Sequence, residues 1–169
     1  MKRFALLASL LLLPLLAFAK PVSDRASGVS YTPPAGWESR DPGTVFQGVK
    51  AIYVGPVSQG FAANINWAAQ QPSPVKTVPS KAPQDMVQMY KKTFAGYKLL
   101  GSKSITIGGK KALQVSSAYM MNTTPVRNQQ VLFVHKGHLH TFTVTAHANS
   151  FAAAAGKFAA MLKTVRLAP

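Results

Sequence analysis

Four histidines, His135, His138, His140 and His147, fall close together near the end of the chain, and they are the only imidazoles in it. Lys136-Gly137 separates two β-prone runs, residues 128–135 and 138–147, and a glycine in a two-residue loop suits the primed turn of a β-hairpin. With that loop, position 135 faces 138, 133 faces 140 and 131 faces 142. One face then carries Val131, Phe133, His135, His138, His140, Phe142 and Val144. Opposed Cβ atoms on one face lie about 5 Å apart, so His135, His138 and His140 converge. Imidazole suits zinc or copper, and the trio is a candidate site for weak Cu(II) or Zn(II) binding, or for a small ligand. No carboxylate or thiolate stands nearby to complete a coordination shell. The competing expectation is a polar hairpin end with one histidine tucked against the core edge.

Other chemistries are scarce. The 169 residues contain no Cys and only four Asp plus Glu. Disulfides, thiolate catalysis and carboxylate-rich metal cages are therefore excluded. Glu38 and Asp41 are the only close carboxylates, and beside Arg40 and Pro42 they read as a solvated turn. Gly55-Pro-Val-Ser58-Gln-Gly60 has the wrong spacing for a nucleophile elbow. No phosphate-binding glycine loop is present. Gly108-Gly109-Lys110 joins two strand-like runs, which suits a hairpin better than a phosphate cradle. The expectation is a protein that is not an enzyme and carries no cofactor. Met86, Met89, Met120, Met121 and Met161 are expected to fill core gaps, as are Trp37 and Trp67.

Charge is the remaining chemical signal. The 19 Lys plus Arg give a net charge of +15. Lys2 and Arg3 supply +2 of this, bases and acids balance over residues 20–41, and the remaining +13 arises after Asp41, where Asp85 is the only acid. The bases are mostly Lys, a hydrated point charge rather than the fork that reads nucleic-acid bases. No run exceeds two, as in Lys91-Lys92 and Lys110-Lys111, which argues against a nucleic-acid arm. One expectation is a self-repelling, solubilising surface. The other is electrostatic attachment to an anionic surface through Lys91, Lys92, Lys110 and Lys111.

The elements that would position these groups are legible in outline. A strand with a Pro-Pro turn occupies residues 28–37, and short strands are expected at 44–47 and 50–54. Residues 61–69 alternate apolar and polar, the period of a half-buried strand. A proline-rich linker follows over 70–82. Pro83 opens a helix with Asp85 in its first turn, Met86, Met89 or Tyr90 and Phe94 at helical spacing, and Gly96 at its end. Residues 97–107 and 111–121 form a hairpin, 122–127 a turn-rich loop, and 128–147 the histidine hairpin. Asn149 or Ser150 caps a last helix whose apolar positions are Phe151, Ala155, Phe158, Leu162 and Val165. Hairpins impose antiparallel pairing, and segregated helices make the fold class α+β, an antiparallel β-sheet flanked by helices.

The N-terminus reads Met-Lys-Arg, an apolar run over residues 4–16, then Ala17-Phe18-Ala19. That is a signal peptide over 1–19, with an apolar stretch too short to span a bilayer. Cleavage after Ala19 would remove Lys2 and Arg3 and take the net charge from +15 to +13. It leaves a loosely held stretch, 20–28, and a single domain, 29–169. The expected location is outside the cytoplasm, periplasmic or secreted, with no transmembrane segment after cleavage.

Residues 29–37 (Val-Ser-Tyr-Thr-Pro-Pro-Ala-Gly-Trp), Tyr97-Lys-Leu-Leu100, Ile107-Gly-Gly-Lys-Lys-Ala-Leu113, the hairpin over 130–146 and the closing Leu162-Lys-Thr-Val-Arg-Leu167 together resemble the PsbP/DcrB-like superfamily. That family also includes a Ran-binding nuclear import factor. The resemblance covers the mature chain and implies an α-β-α sandwich. It also implies an accessory or binding role, as in a lumenal photosystem II subunit and bacterial envelope lipoproteins. The cysteine that lipidates those lipoproteins is absent here. The expected partner is an envelope protein, polymer or anionic lipid surface.

Overall fold

The computed structural model describes residues 20–43 and 48–169. The segment expected to be a signal peptide, 1–19, and the strand expected at 44–47 lie outside the described residues. In chain order the elements are β1 (Val22–Asp24), β2 (Val29–Tyr31), β3 (Glu38–Arg40), β4 (Val49–Ser58), β5 (Phe61–Gln70) and α1 (Ala82–Thr93). They continue as β6 (Lys98–Ile107), β7 (Lys110–Met121), β8 (Thr124–His135), β9 (His138–His147), α2 (Phe151–Lys163) and β10 (Arg166–Leu167). Seven strands form one antiparallel sheet in the order β3-β4-β5-β9-β8-β7-β6, and β1-β2-β10 form a small second sheet.

Two-residue turns set the register of the large sheet. Gln59-Gly60, Gly108-Gly109 and Lys136-Gly137 all hold both residues at positive φ, the primed geometry whose twist matches paired strands. Lys110 therefore opens β7 opposite Ile107 and does not belong to the turn. The loop expected at 122–127 is a turn of Asn122 and Thr123, because Asn122 adopts φ 56° and Met121 already faces Thr124. Pro125 is tolerated at the start of β8. Its partner Met120 donates its N–H to Ala95 O, so this pair needs no amide from the proline.

The two faces of the sheet differ. Ile65, Trp67, Val131, Phe133, Phe142 and Val144 point to one face, almost wholly buried with Phe158 of α2 and Val29 and Tyr31 of β2. Tyr97, Tyr119 and Val126 point to the other, against Val87, Tyr90 and Phe94 from α1 and its C-terminal end. The helices thus cover opposite faces, and the architecture is the expected α-β-α sandwich.

Several local expectations are corrected. Residues 22–24, within the supposedly loose N-terminus, form β1, held by pairing to β2 and by a turn in which Asp24 Oδ1 accepts the Ala26 amide at 3.0 Å. Strand β10, not anticipated, closes the small sheet on β2. Ser150 occupies the N-cap of α2, but its hydroxyl donates to His147 O rather than capping the helix amides. Met86 and Met161 are buried, whereas Met89 is 52% exposed because Tyr90 takes the inward position on α1.

Candidate functional site

The histidine hairpin has the register that a Lys136-Gly137 turn dictates: His135 opposite His138, Phe133 opposite His140, Val131 opposite Phe142. All three histidines are brought together and buried, His140 completely. The His140 ring lies 5.8 Å from that of His138 and 6.4 Å from that of His135, centroid to centroid. His140 is stacked between Trp67 (6.0 Å) and Phe133 (4.9 Å). Its Nδ1 accepts the Trp67 indole N–H at 3.3 Å. Since indole only donates, the neutral ring carries its proton on Nε2, and that atom has no partner. Neither nitrogen of His135 has one. His138 Nδ1 donates to Lys136 O at 2.8 Å.

Burial lowers the His140 pKa to about 4, aided by the nearby His138 and His135. Burial also lowers that of His135, aided by Lys110. These imidazoles are neutral core aromatics at neutral pH. Among the described residues, no three His, Asp or Glu side chains are set to hold a metal ion together.

The lysines make a more open site. Between residues 76–80 of the proline-rich segment and the β6–β7 hairpin lies a cleft of about 710 Å³. Lys76, Lys103, Lys110 and Lys111 line it, with Ser80, Ser102 and other hydroxyls. The segment is anchored where Ser73 donates its N–H to Gly137 O at 2.8 Å. No carboxylate lines the cleft. Asp24 pairs with Lys50, Glu38 with Arg40 and Asp85 with Lys81. Asp41, the fourth acid, accepts the Gly43 amide. Lys110 and Lys111 are neighbours on β7 and so leave opposite faces of the sheet. The cleft is thus bordered by lysines on both sides of this hairpin with no counter-charge in its lining, an arrangement that attracts anions.

Of the four lysines expected to bind an anionic surface, Lys110 and Lys111 are in this cleft. Lys91 and Lys92 are not: they sit in the last turn of α1, exposed, where cations complement the helix dipole. Lys76 and Lys103 were missed because neither has a basic neighbour in sequence. Among the described residues no helix is long and apolar enough to cross a membrane.

Comparison with known proteins agrees with this architecture. The solution structure of cyanobacterial PsbP (CyanoP) from Synechocystis sp. PCC 6803 superposes with TM-score 0.67 at 14% identity, covering 89% of this chain and 93% of that one. LpqN, described as involved in cell envelope biogenesis of Mycobacterium tuberculosis, superposes with TM-score 0.63 at 16% identity, covering 89% and 90%. A Pseudomonas aeruginosa protein of unknown function superposes with TM-score 0.60 at 16% identity, covering 90% and 97%. No curated protein sequence matches the chain. The DcrB family profile matches residues 34–164, from the Pro-Pro turn to the end of α2. The chain belongs to the DcrB family.

Proposed function

We propose that this chain is an exported, non-enzymatic binding protein of the cell envelope, and that its lysine cleft holds an anionic envelope polymer, acidic protein or lipid surface. The observation that carries this reading is the cleft itself, with four lysines and no carboxylate in its lining. The N-terminal sequence supports export, and the likeness of fold to LpqN supports an envelope setting. Neither the DcrB family nor the PsbP-like proteins are known as enzymes.

The binding is electrostatic and weakens with added salt. Each basic side chain near an anionic surface contributes about 1 kcal/mol. The double substitution Lys110→Glu/Lys111→Glu is therefore expected to weaken binding by more than about tenfold. Lys91→Glu/Lys92→Glu changes the net charge equally but lies outside the cleft, and is expected to matter less. Co-sedimentation at low salt with anionic liposomes and with cell-wall sacculi measures this. Wild-type protein that stays in the supernatant with both would overturn the proposal.

A second reading, weak Cu(II) or Zn(II) binding at His135, His138 and His140, has the unpartnered nitrogens of His135 and His140 in its favour, but it requires the rings to turn, because as they stand the three are not set to hold one ion together. Calorimetric titration of untagged protein decides it: heat that His138→Ala removes supports it, and no heat sinks it.

A further inference from the structure

The face of the sheet that α1 only partly covers carries an unusual set of side chains. The register places Asn64, Thr145, Asn128 and Ser117 in one row across β5, β9, β8 and β7. Asn66, Thr143 and Gln130 form the next row. Asparagine is depleted in strands, yet two stand on β5, an inner strand whose opposite face holds the buried Ile65 and Trp67. Residues that work against the local fold are expected where function requires them.

These rows floor a cleft of about 320 Å³, walled by Tyr90 and Phe94 on the α1 side and by Tyr119 of β7. The Phe94 and Tyr119 rings stack with centroids 4.3 Å apart. Asn128 Nδ2 donates to Thr145 Oγ1 at 2.9 Å, and Gln130 Nε2 donates to Tyr90 Oη at 3.3 Å. These bonds hold two of the amides in fixed orientations. No charged residue lines the cleft, although the chain as a whole carries +15.

We propose that this cleft is a carbohydrate subsite that binds a sugar ring of a neutral glycan segment. Amides present a donor and an acceptor side by side, which matches adjacent sugar hydroxyls. The aromatic walls offer apolar contact to the C–H face of a pyranose, from the edges of the stacked Phe94 and Tyr119 and from Tyr90. A volume near the lower end of small-molecule pockets, about 300–1,000 Å³, suits one or two rings. A peptide binding as an added strand requires a free sheet edge. Strands β5, β9 and β8 are each paired on both sides, so this cleft offers none. The inference goes beyond the lysine cleft, and its binding is expected to be insensitive to salt.

The test is a titration of isotopically labelled full-length mature protein with chitotetraose, cellotetraose and maltotetraose, followed by NMR of the side-chain amides. Saturable shifts of Asn64, Asn66, Asn128 and Gln130 with at least one saccharide are expected, unchanged by Lys110→Glu/Lys111→Glu. Asn66→Val is expected to weaken that binding by about tenfold or more. The same substitution should keep or raise the melting temperature, because valine suits a strand better. A role for Asn66 in stability alone would lower the melting temperature and leave the shifts intact, and that pattern would overturn the proposal. So would the absence of saturable shifts with all three saccharides at millimolar concentration.

Discussion

Replacing Trp67 by alanine is expected to cost about 3–5 kcal/mol of folding stability, the range for emptying a large aromatic position in a core. Trp67 is 2% exposed and sits where the main sheet meets the small one. Its ring meets Tyr31 edge-on at 5.5 Å and stacks on Phe142 at 5.7 Å and His140 at 6.0 Å. Alanine removes these contacts and also leaves His140 Nδ1 without its donor, an unsatisfied buried acceptor. Trp67→Phe separates the two losses. It keeps most of the packing and gives up only the hydrogen bond, so about 1–3 kcal/mol is expected. Urea denaturation of the three proteins measures both, and an alanine variant within about 1 kcal/mol of wild type would show that Trp67 is not a central core residue.

Acid is expected to destabilise the protein between about pH 6.5 and pH 4, and His140 is the principal cause. Its folded pKa is about 4, below the ordinary value near 6.5 of an unfolded histidine. The unfolded chain therefore binds the proton first. The stability tied to the neutral ring is full above about pH 6.5 and is lost as pH falls toward 4. A pKa unit is worth about 1.4 kcal/mol, so the loss attributable to this residue is about 3 kcal/mol. His135 adds to it with the same sign, its pKa also lowered by burial. Asp24 opposes it, since its negative charge favours a protonated His140. His140→Phe preserves a flat ring between Trp67 and Phe133 but cannot titrate. It is expected to flatten the stability profile between pH 7 and pH 4, even if its stability at pH 7 is lower through loss of the indole acceptor. An unaltered profile would assign the acid sensitivity to other groups.

Local order was legible in the sequence, and long-range order was not. Lys136-Gly137 fixes the register of β8 against β9, and with it the face shared by the three histidines, because a two-residue turn leaves no freedom to slip. The depth of that face was harder to see. His140 lies at the centre of an aromatic stack supplied partly by Trp67, and nothing near His140 in sequence announces that β5 is its neighbour. The loop expected at 122–127 failed for a similar reason: Pro125 reads as a breaker unless the partner strand shows that its missing amide is not needed. The lysine cleft was half visible. Lys110-Lys111 stands out beside the glycine pair, whereas Lys76 and Lys103 join it only through the path of the linker across the sheet. The polar rows around Asn64, Asn66 and Asn128 went unnoticed, because alternation marks which residues share a face but not which strand lies alongside.

The strand order has a kinetic consequence. Strands β6 to β9 form a meander joined by two-residue turns, and β4 with β5 form another. Each can close within a few residues at small entropic cost. The seam between them, where Gln70 meets Leu139 and Asn64 meets Thr145, must instead enclose everything from α1 to β8, and closing such a loop delays the contacts that reward it. Folding should therefore be gated at one seam, with both halves preformed and the Trp67–His140 pairing among the last contacts made. The residues that bury the histidine are then also those that report completion of the fold.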